Sequence, residues 1–172
     1  MLKLIGATLI IAASTYGGLV VARSYHERPK QLRYLQQGLQ MLETEIAYSS
    51  RPLHIAMDLI GKRIPGIIGQ LFQEMGNNLR TLDGESTFEC WQRAIQTTIP
   101  KTSLKAQDQQ ILLQYGHTLG MTDKNDQIKH IQLTVQQLVA EEQLARDDQK
   151  IYEKLSKNLG VLLGLLIVIL MY

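Results

Sequence analysis

Zinc chemistry of the protease kind needs two histidines four apart on one helix face with a glutamate beside them. The four histidines of this 172-residue chain, His26, His54, His117 and His130, have no such spacing and read as isolated or internally satisfied imidazoles. A calcium loop needs a glycine at its sixth position and a glutamate at its twelfth. The stretch beginning Asp123-Lys-Asn-Asp126 opens in that style but has Ile128 and Thr134 at those places, so helix capping accounts for its carboxylates. No Gly-x-x-x-x-Gly-Lys-Ser/Thr loop occurs, which excludes a nucleotidase of that kind. Cys90, beside Trp91 in a helical pattern, has no basic run to lower its pKa and reads as an inert buried thiol; a lone cysteine also excludes a disulfide framework. Trp91 itself reads as a core anchor. The expectation is a chain with no catalytic residue, no metal, no cofactor and no small-molecule substrate.

The elements that would position these residues are set by where the charges lie. Of 18 basic residues only Lys3 and Arg23 lie outside residues 24–157, which therefore hold 16 basic and 16 acidic side chains. A middle section of zero net charge has no electrostatic reason to bind nucleic acid. Residues 4–22 (LIGATLIIAASTYGGLVVA) carry no charge and as a helix would reach roughly 28 Å, close to the thickness of a bilayer's hydrocarbon core. The competing reading is a secretory signal cleaved near Ala12-Ala13-Ser14. The apolar run continues past that point and closes on basic residues, which favours an uncleaved anchor. Residues 158–172 (NLGVLLGLLIVILMY) would reach about 22 Å, lengthened if Lys154 and Lys157 snorkel to the interface. A buried helix ending a soluble domain is the alternative there, disfavoured by the absence of any polar stripe.

Arg23, Arg28, Lys30 and Arg33 follow the first apolar run, and Arg146, Lys150, Lys154 and Lys157 precede the second. The positive-inside rule then puts residues 24–157 in the cytoplasm and both termini outside. Three segments result: an anchor at 1–23, a cytoplasmic helical domain at 24–157 and an anchor at 158–172. Arg23, Arg28, Lys30, Arg33, Arg51, Lys62, Arg63, Lys150, Lys154 and Lys157 are the candidates for a basic face toward anionic headgroups. Gly160 and Gly164 form a Gly-x-x-x-Gly that would let two helices pack closely in lipid, and an oligomer stays open.

Strand signals are nearly absent from the middle section, and breakers divide it into six helical patterns. Leu32, Leu35, Leu39, Leu42 and Ile46 form a seam of 3, 4, 3 and 4 behind Pro29, taken as a first-turn residue. Further helices are expected at 53–62 with Ser50 as cap, from Pro65 with Ile67, Ile68, Leu71, Phe72 and Met75, at 85–98 with Phe88, Trp91 and Ile95, and at 101–119. Gly120 suits a left-handed stop and Thr122 or Asp123 an N-cap for the last, which could run unbroken to the C-terminal apolar run. Its apolar register slips across 141–150, predicting a segment solvated on most sides.

The segments Leu35-Gln-Gln-Gly-Leu-Gln-Met-Leu-Glu43-Thr-Glu45-Ile-Ala-Tyr48, Pro52-Leu53, Glu89-Cys-Trp91 with Ala94, and Tyr115-Gly116-His-Thr-Leu119-Gly120-Met-Thr-Asp123 leading to Gln127 carry a resemblance. In order and spacing the whole chain resembles the stage III sporulation protein AB family of endospore-forming Firmicutes. It departs at His54-Ile55, where a more acidic continuation is the pattern, and at Cys90, an alanine-like position. The resemblance implies an all-α fold, a six-helix antiparallel bundle with an N-terminal and a C-terminal transmembrane helix, similar to the cytoplasmic domain of platform protein F of type II secretion and pilus systems. It also implies a non-enzymatic platform in the mother-cell membrane facing the forespore, with partners that are sporulation-channel proteins including the stage III sporulation protein AA ATPase. The alternative from a different class is a membrane-bound sensor or enzyme with an unrecognised site.

Overall fold

The computed structural model describes residues 2–49, 51–81, 84–120 and 123–171; the side-chain surroundings of residues 2–11 and of 153, 154, 156, 157, 160, 161, 163–165, 167, 168, 170 and 171 lie outside that description. Among the described residues there are six α-helices and no strand: α1 Leu2–Tyr48, α2 Leu53–Arg63, α3 Gly66–Arg80, α4 Thr87–Thr98, α5 Ala106–Gly116 and α6 Lys124–Met171, with a 3-10 turn at Ile99–Lys101. The chain divides into two compact units, Lys30–Gln143 and a helical hairpin of Met1–Pro29 with Leu144–Tyr172.

In the larger unit the seam is where the spacing put it. Leu32, Leu35, Leu39 and Leu42 are fully buried, as are Ile68, Leu71, Phe72, Met75, Trp91 and Ile95. A Cβ on Gly38 would strike the Phe72 ring, so the missing side chain is what admits α3 against α1. α2 and α3 cross still more closely, because a Cβ on Gly61 would lie 2.7 Å from the Gly69 carbonyl oxygen. Antiparallel pairing of α1 with α6 in this unit is recorded by polar contacts whose numbers descend on α6 as they rise on α1. Arg33 Nη2 lies 3.0 Å from Glu142 Oε1, Gln36 Nε2 donates to Glu142 Oε2 (2.8 Å) and the Leu138 carbonyl (3.2 Å), and Gln132 Nε2 donates to Glu43 Oε1 (2.7 Å).

Three local features depart from expectation. Pro29 does not begin a helix; it lies buried inside α1. Its missing N–H costs a helix about 3 kcal/mol, and the hairpin offsets this by pairing α1 with α6 around it. Tyr25 stacks on Tyr152 with ring centroids 5.4 Å apart, Gln149 Nε2 lies 2.7 Å from His26 Nδ1, and Arg28 faces Asp148 at 3.9 Å. Residues 141–150 are not solvated on most sides: Glu142 and Ala145 are buried, so the inward stripe continues through polar and small residues where the apolar pattern stops. α5 starts at Ala106 instead of residue 101, because the chain after Pro100 is held by side-chain bonds that compete with helix. Thr102 Oγ1 donates to the Ile99 carbonyl, Gln31 Oε1 accepts from the Ser103 N–H, and Asp108 Oδ2 accepts from the Lys105 N–H at 2.7 Å.

Helix starts follow capping chemistry. Ser86 and Glu89 close a capping box on α4, and the Ser86 bonds hold the Glu89 carboxyl below its ordinary value. Asp123 Oδ1 caps α6 through the Asp126 N–H at 2.8 Å, and Gly120 takes the left-handed φ of 76°. Ser50 and Thr122, named as caps from the sequence, fall outside the described residues; Pro52 stands at the α2 N-cap. Among the described residues no helix is long and apolar enough to cross a membrane. The expected transmembrane segments at 1–23 and 158–172 fall largely on positions whose surroundings are not described.

Candidate functional site

The last turns of α1 place Leu42, Glu45 and Ile46 on its inner face by their spacing of three and four. The chain leaves the helix at Tyr48, which is 90% exposed, and turns tightly: the Ser49 N–H donates to the Glu45 carbonyl (2.9 Å) and the Arg51 N–H to Ser49 Oγ (3.2 Å). Arg51 swings back so that Nη1 lies 3.5 Å from Glu45 Oε1, and Lys124 from the first turn of α6 donates to the Ala47 carbonyl. That lysine meets one of the carbonyls a helix end leaves unpaired, where the helix dipole favours a cation.

Between these elements and α2 lies a hollow of about 190 Å³ walled by Leu42, Ile46, Leu53 and Ala56, with Glu45 and Arg51 as its charged members and Gly120 and Gln127 closing it from the α5–α6 side. Glu45 also lines a second hollow of about 220 Å³, with Met41, Leu59 and Arg63. Glu45 Oε2 is buried and accepts no hydrogen bond. The first turn of α4 and the α5–α6 connection come together beside it. Phe88 stacks on His117 with centroids 3.9 Å apart, and a Cβ on Gly120 would lie 3.1 Å from Thr87 Oγ1. Parts of the segments that carry the family resemblance thus meet at the first hollow: Leu42, Glu45 and Ile46 from the first, Leu53 from the second, and Gly120 and Gln127 from the last.

Trp91 and Cys90 lie beneath. The Trp91 indole N–H donates to the Leu112 carbonyl at 2.7 Å, and its ring meets Tyr115 edge-on at 6.0 Å and Phe72 tilted at 6.3 Å. Burial, then the Glu89 charge, push the Cys90 thiol above its ordinary value, which keeps it protonated and unreactive. Among the described residues no three His, Cys, Asp or Glu side chains gather as a metal site would require. The arrangement offers a shaped, partly charged surface for contact.

The basic residues singled out from the sequence do not all share one surface. Arg28 is buried and turned to Asp148. Arg33 is half-exposed on Glu142, Lys150 lies 3.0 Å from Asp147, and Arg23, Lys30, Lys62 and Arg63 are exposed. Arg33 and the end of α1, beyond which Arg51 lies, are separated by fifteen helical residues, roughly 22 Å. For Lys154, Lys157, Gly160 and Gly164 the surroundings lie outside the described residues. Sequence reading missed Glu45 and Glu142 as inward carboxylates. The signal was present, since each follows an apolar residue of its helix's buried stripe by three or four places.

The sequence pattern of the family described as stage III sporulation protein AB matches residues 3–172. A stage III sporulation protein AB of Bacillus subtilis (strain 168) is 39% identical over 171 residues, covering 99% of both chains. A solved structure of a stage III sporulation protein AB superposes with a TM-score of 0.69 at 35% identity, covering 73% of this chain and 98% of the other.

Proposed function

The chain belongs to the stage III sporulation protein AB family, and from that premise we propose that it is a non-enzymatic membrane platform of the sporulation channel joining mother cell and forespore. In this reading residues 1–23 and 158–172 anchor it in the mother-cell membrane, and residues 24–157 work in the cytoplasm with the stage III sporulation protein AA ATPase, as platform proteins of secretion systems do with their motors. The observation that carries the reading is the inverted character of the hairpin unit. Among the described residues its seam holds buried Ala22, the Tyr25–Tyr152 stack, and His26, Arg28, Asp148 and Gln149 paired across it. Among the described residues its exposed apolar positions include Leu19, Val20, Val21, Ile151, Leu155, Leu159, Leu162, Leu166 and Ile169, while Arg23, Ser24, Arg146, Asp147 and Lys150 are exposed nearer Pro29 and Leu144 in sequence. A hairpin built for water has the opposite pattern, whereas lipid rewards apolar side chains outward and polar groups satisfied inward. The exposed bases Arg23, Lys30 and Lys150 suit the headgroup side of such an anchor.

The end where the α1–α2 and α5–α6 connections meet the first turn of α4 is the partner surface in this reading. In-cell photo-crosslinking scanned along residues 24–157 during sporulation tests it. Adducts with the ATPase or another channel protein are expected from Tyr48, Arg51 and His117. A scan that yields no channel-protein adduct at any position would refute the platform role.

A further inference from the structure

We propose that the hollow at the end of α1 receives a lysine or arginine side chain presented by a partner protein, with Glu45 as its counter-ion. The proposal deepens the platform reading, on which it rests for the source of the cation. Glu45 keeps 21% of its side chain exposed, yet Oε2 is withdrawn from water with no donor opposite it. A buried carboxylate oxygen without a hydrogen bond is a standing penalty that an arriving N–H donor relieves. The internal cation does not remove it. Arg51 is 55% exposed and meets only Oε1, at 3.5 Å, a loose contact of the kind that contributes little in water. Because the carboxylate torsion is soft, either oxygen can turn to a better-placed donor.

The hollow's walls fit the rest of such a side chain. Ile46 and Leu53 are half-buried and offer an apolar lining to the methylene stem, backed by Leu42 and Ala56, while the charged head reaches Glu45. Tyr48 and Ile55, sequence neighbours of the lining residues Ser49 and Ala56, are 90% and 40% exposed. An exposed aromatic and an exposed aliphatic beside a charged recess suit a protein segment more than a free amine. Arg51 then acts as a stand-in that the partner's cation displaces.

The test is a titration of the isotope-labelled full chain in detergent micelles with N-acetyl-lysine methylamide and N-acetyl-arginine methylamide, read at the Ala56 and Gly120 amides. Saturable shifts are expected with both and none with the uncharged N-acetyl-norleucine methylamide. Glu45→Gln should weaken binding at least tenfold and Glu43→Gln should leave it unchanged. Arg51→Gln, an exposed substitution that spares the fold, should tighten binding threefold or more by removing the internal competitor. Absence of saturable shifts, equal binding of the norleucine probe, or no gain in Arg51→Gln overturns the proposal; so does spermidine binding more tightly than either amino-acid probe, which would mark a free-amine site. Probe binding and in-cell crosslinking fail separately: the first can be lost with channel-protein adducts intact, and the adducts can be lost with probe binding intact.

Discussion

Tyr115 shows how a single buried atom can oppose the structure around it. Its ring belongs to the core, edge-on to Trp91, while its hydroxyl is buried with no hydrogen-bond partner, and burial drives the phenol far above its ordinary value of 10.0. An unmet buried hydroxyl costs about 1–3 kcal/mol, and removing it leaves the ring packing in place. Tyr115→Phe is therefore expected to raise stability by about 1 kcal/mol, seen as a higher denaturation midpoint with unchanged slope; a lower midpoint would show that the hydroxyl is satisfied. Residues of this kind divide what the sequence makes legible. Trp91 and Cys90 could be assigned to the core because their neighbours step at helical intervals. Glu45 and Glu142 sit in register with the same stripes, but a carboxylate reads as solvated unless its partner is known, and Arg33 and Gln36 lie more than a hundred positions from Glu142.

Between elements, the tightest constraint is the crossing of α2 and α3. A Cβ on Gly69 would collide with the Ile64 carbonyl oxygen and lie 2.7 Å from that of Gly61. Both obstacles are backbone, so no side chain can swing aside. Overpacking typically costs 1–3 kcal/mol and more where nothing can yield, and Gly69→Ala is expected to cost about 3 kcal/mol or more. Thermal unfolding of the variant measures it, and a midpoint within about 2 °C of the parent would show that the two helices part freely. Breakers placed several helix limits: Pro52 and Pro65 stand at the N-caps of α2 and α3, whereas Gly120 is left-handed but lies four residues past the end of α5 at Gly116. Pro29 misled because the contacts that carry α1 through it come from α6, more than a hundred residues away. The late start of α5 was hidden for a different reason, since Thr102, Gln31 and Asp108 hold residues 102–105 by side-chain bonds that periodicity does not register.

For the whole molecule, the near-neutral mean hydropathy of −0.08 hides two unlike materials. Charge placement marks uncharged ends at 4–22 and 158–172, and the compact units divide after Pro29 and after Gln143. Between the uncharged ends and those divisions lies a stretch of the hairpin whose charged and polar groups are used internally, Arg28 on Asp148 and Gln149 on His26. The same hairpin sets the last expectation. Residues 4–22 and 158–172 carry no charge, and centrally placed Leu, Ile and Val each favour bilayer insertion by about 0.3–0.6 kcal/mol. Nothing in the balanced charge of residues 24–157 supplies an equivalent attraction, because electrostatic attachment to anionic lipid needs a net basic face. The full chain should therefore stay with membranes through alkaline carbonate extraction. A chain lacking both 2–23 and 158–172 should be released, and one retaining either segment should be held in part. Release of the full chain by carbonate would mean that the apolar ends pack against protein instead of lipid, and retention of the doubly truncated chain would place the attachment in residues 24–157.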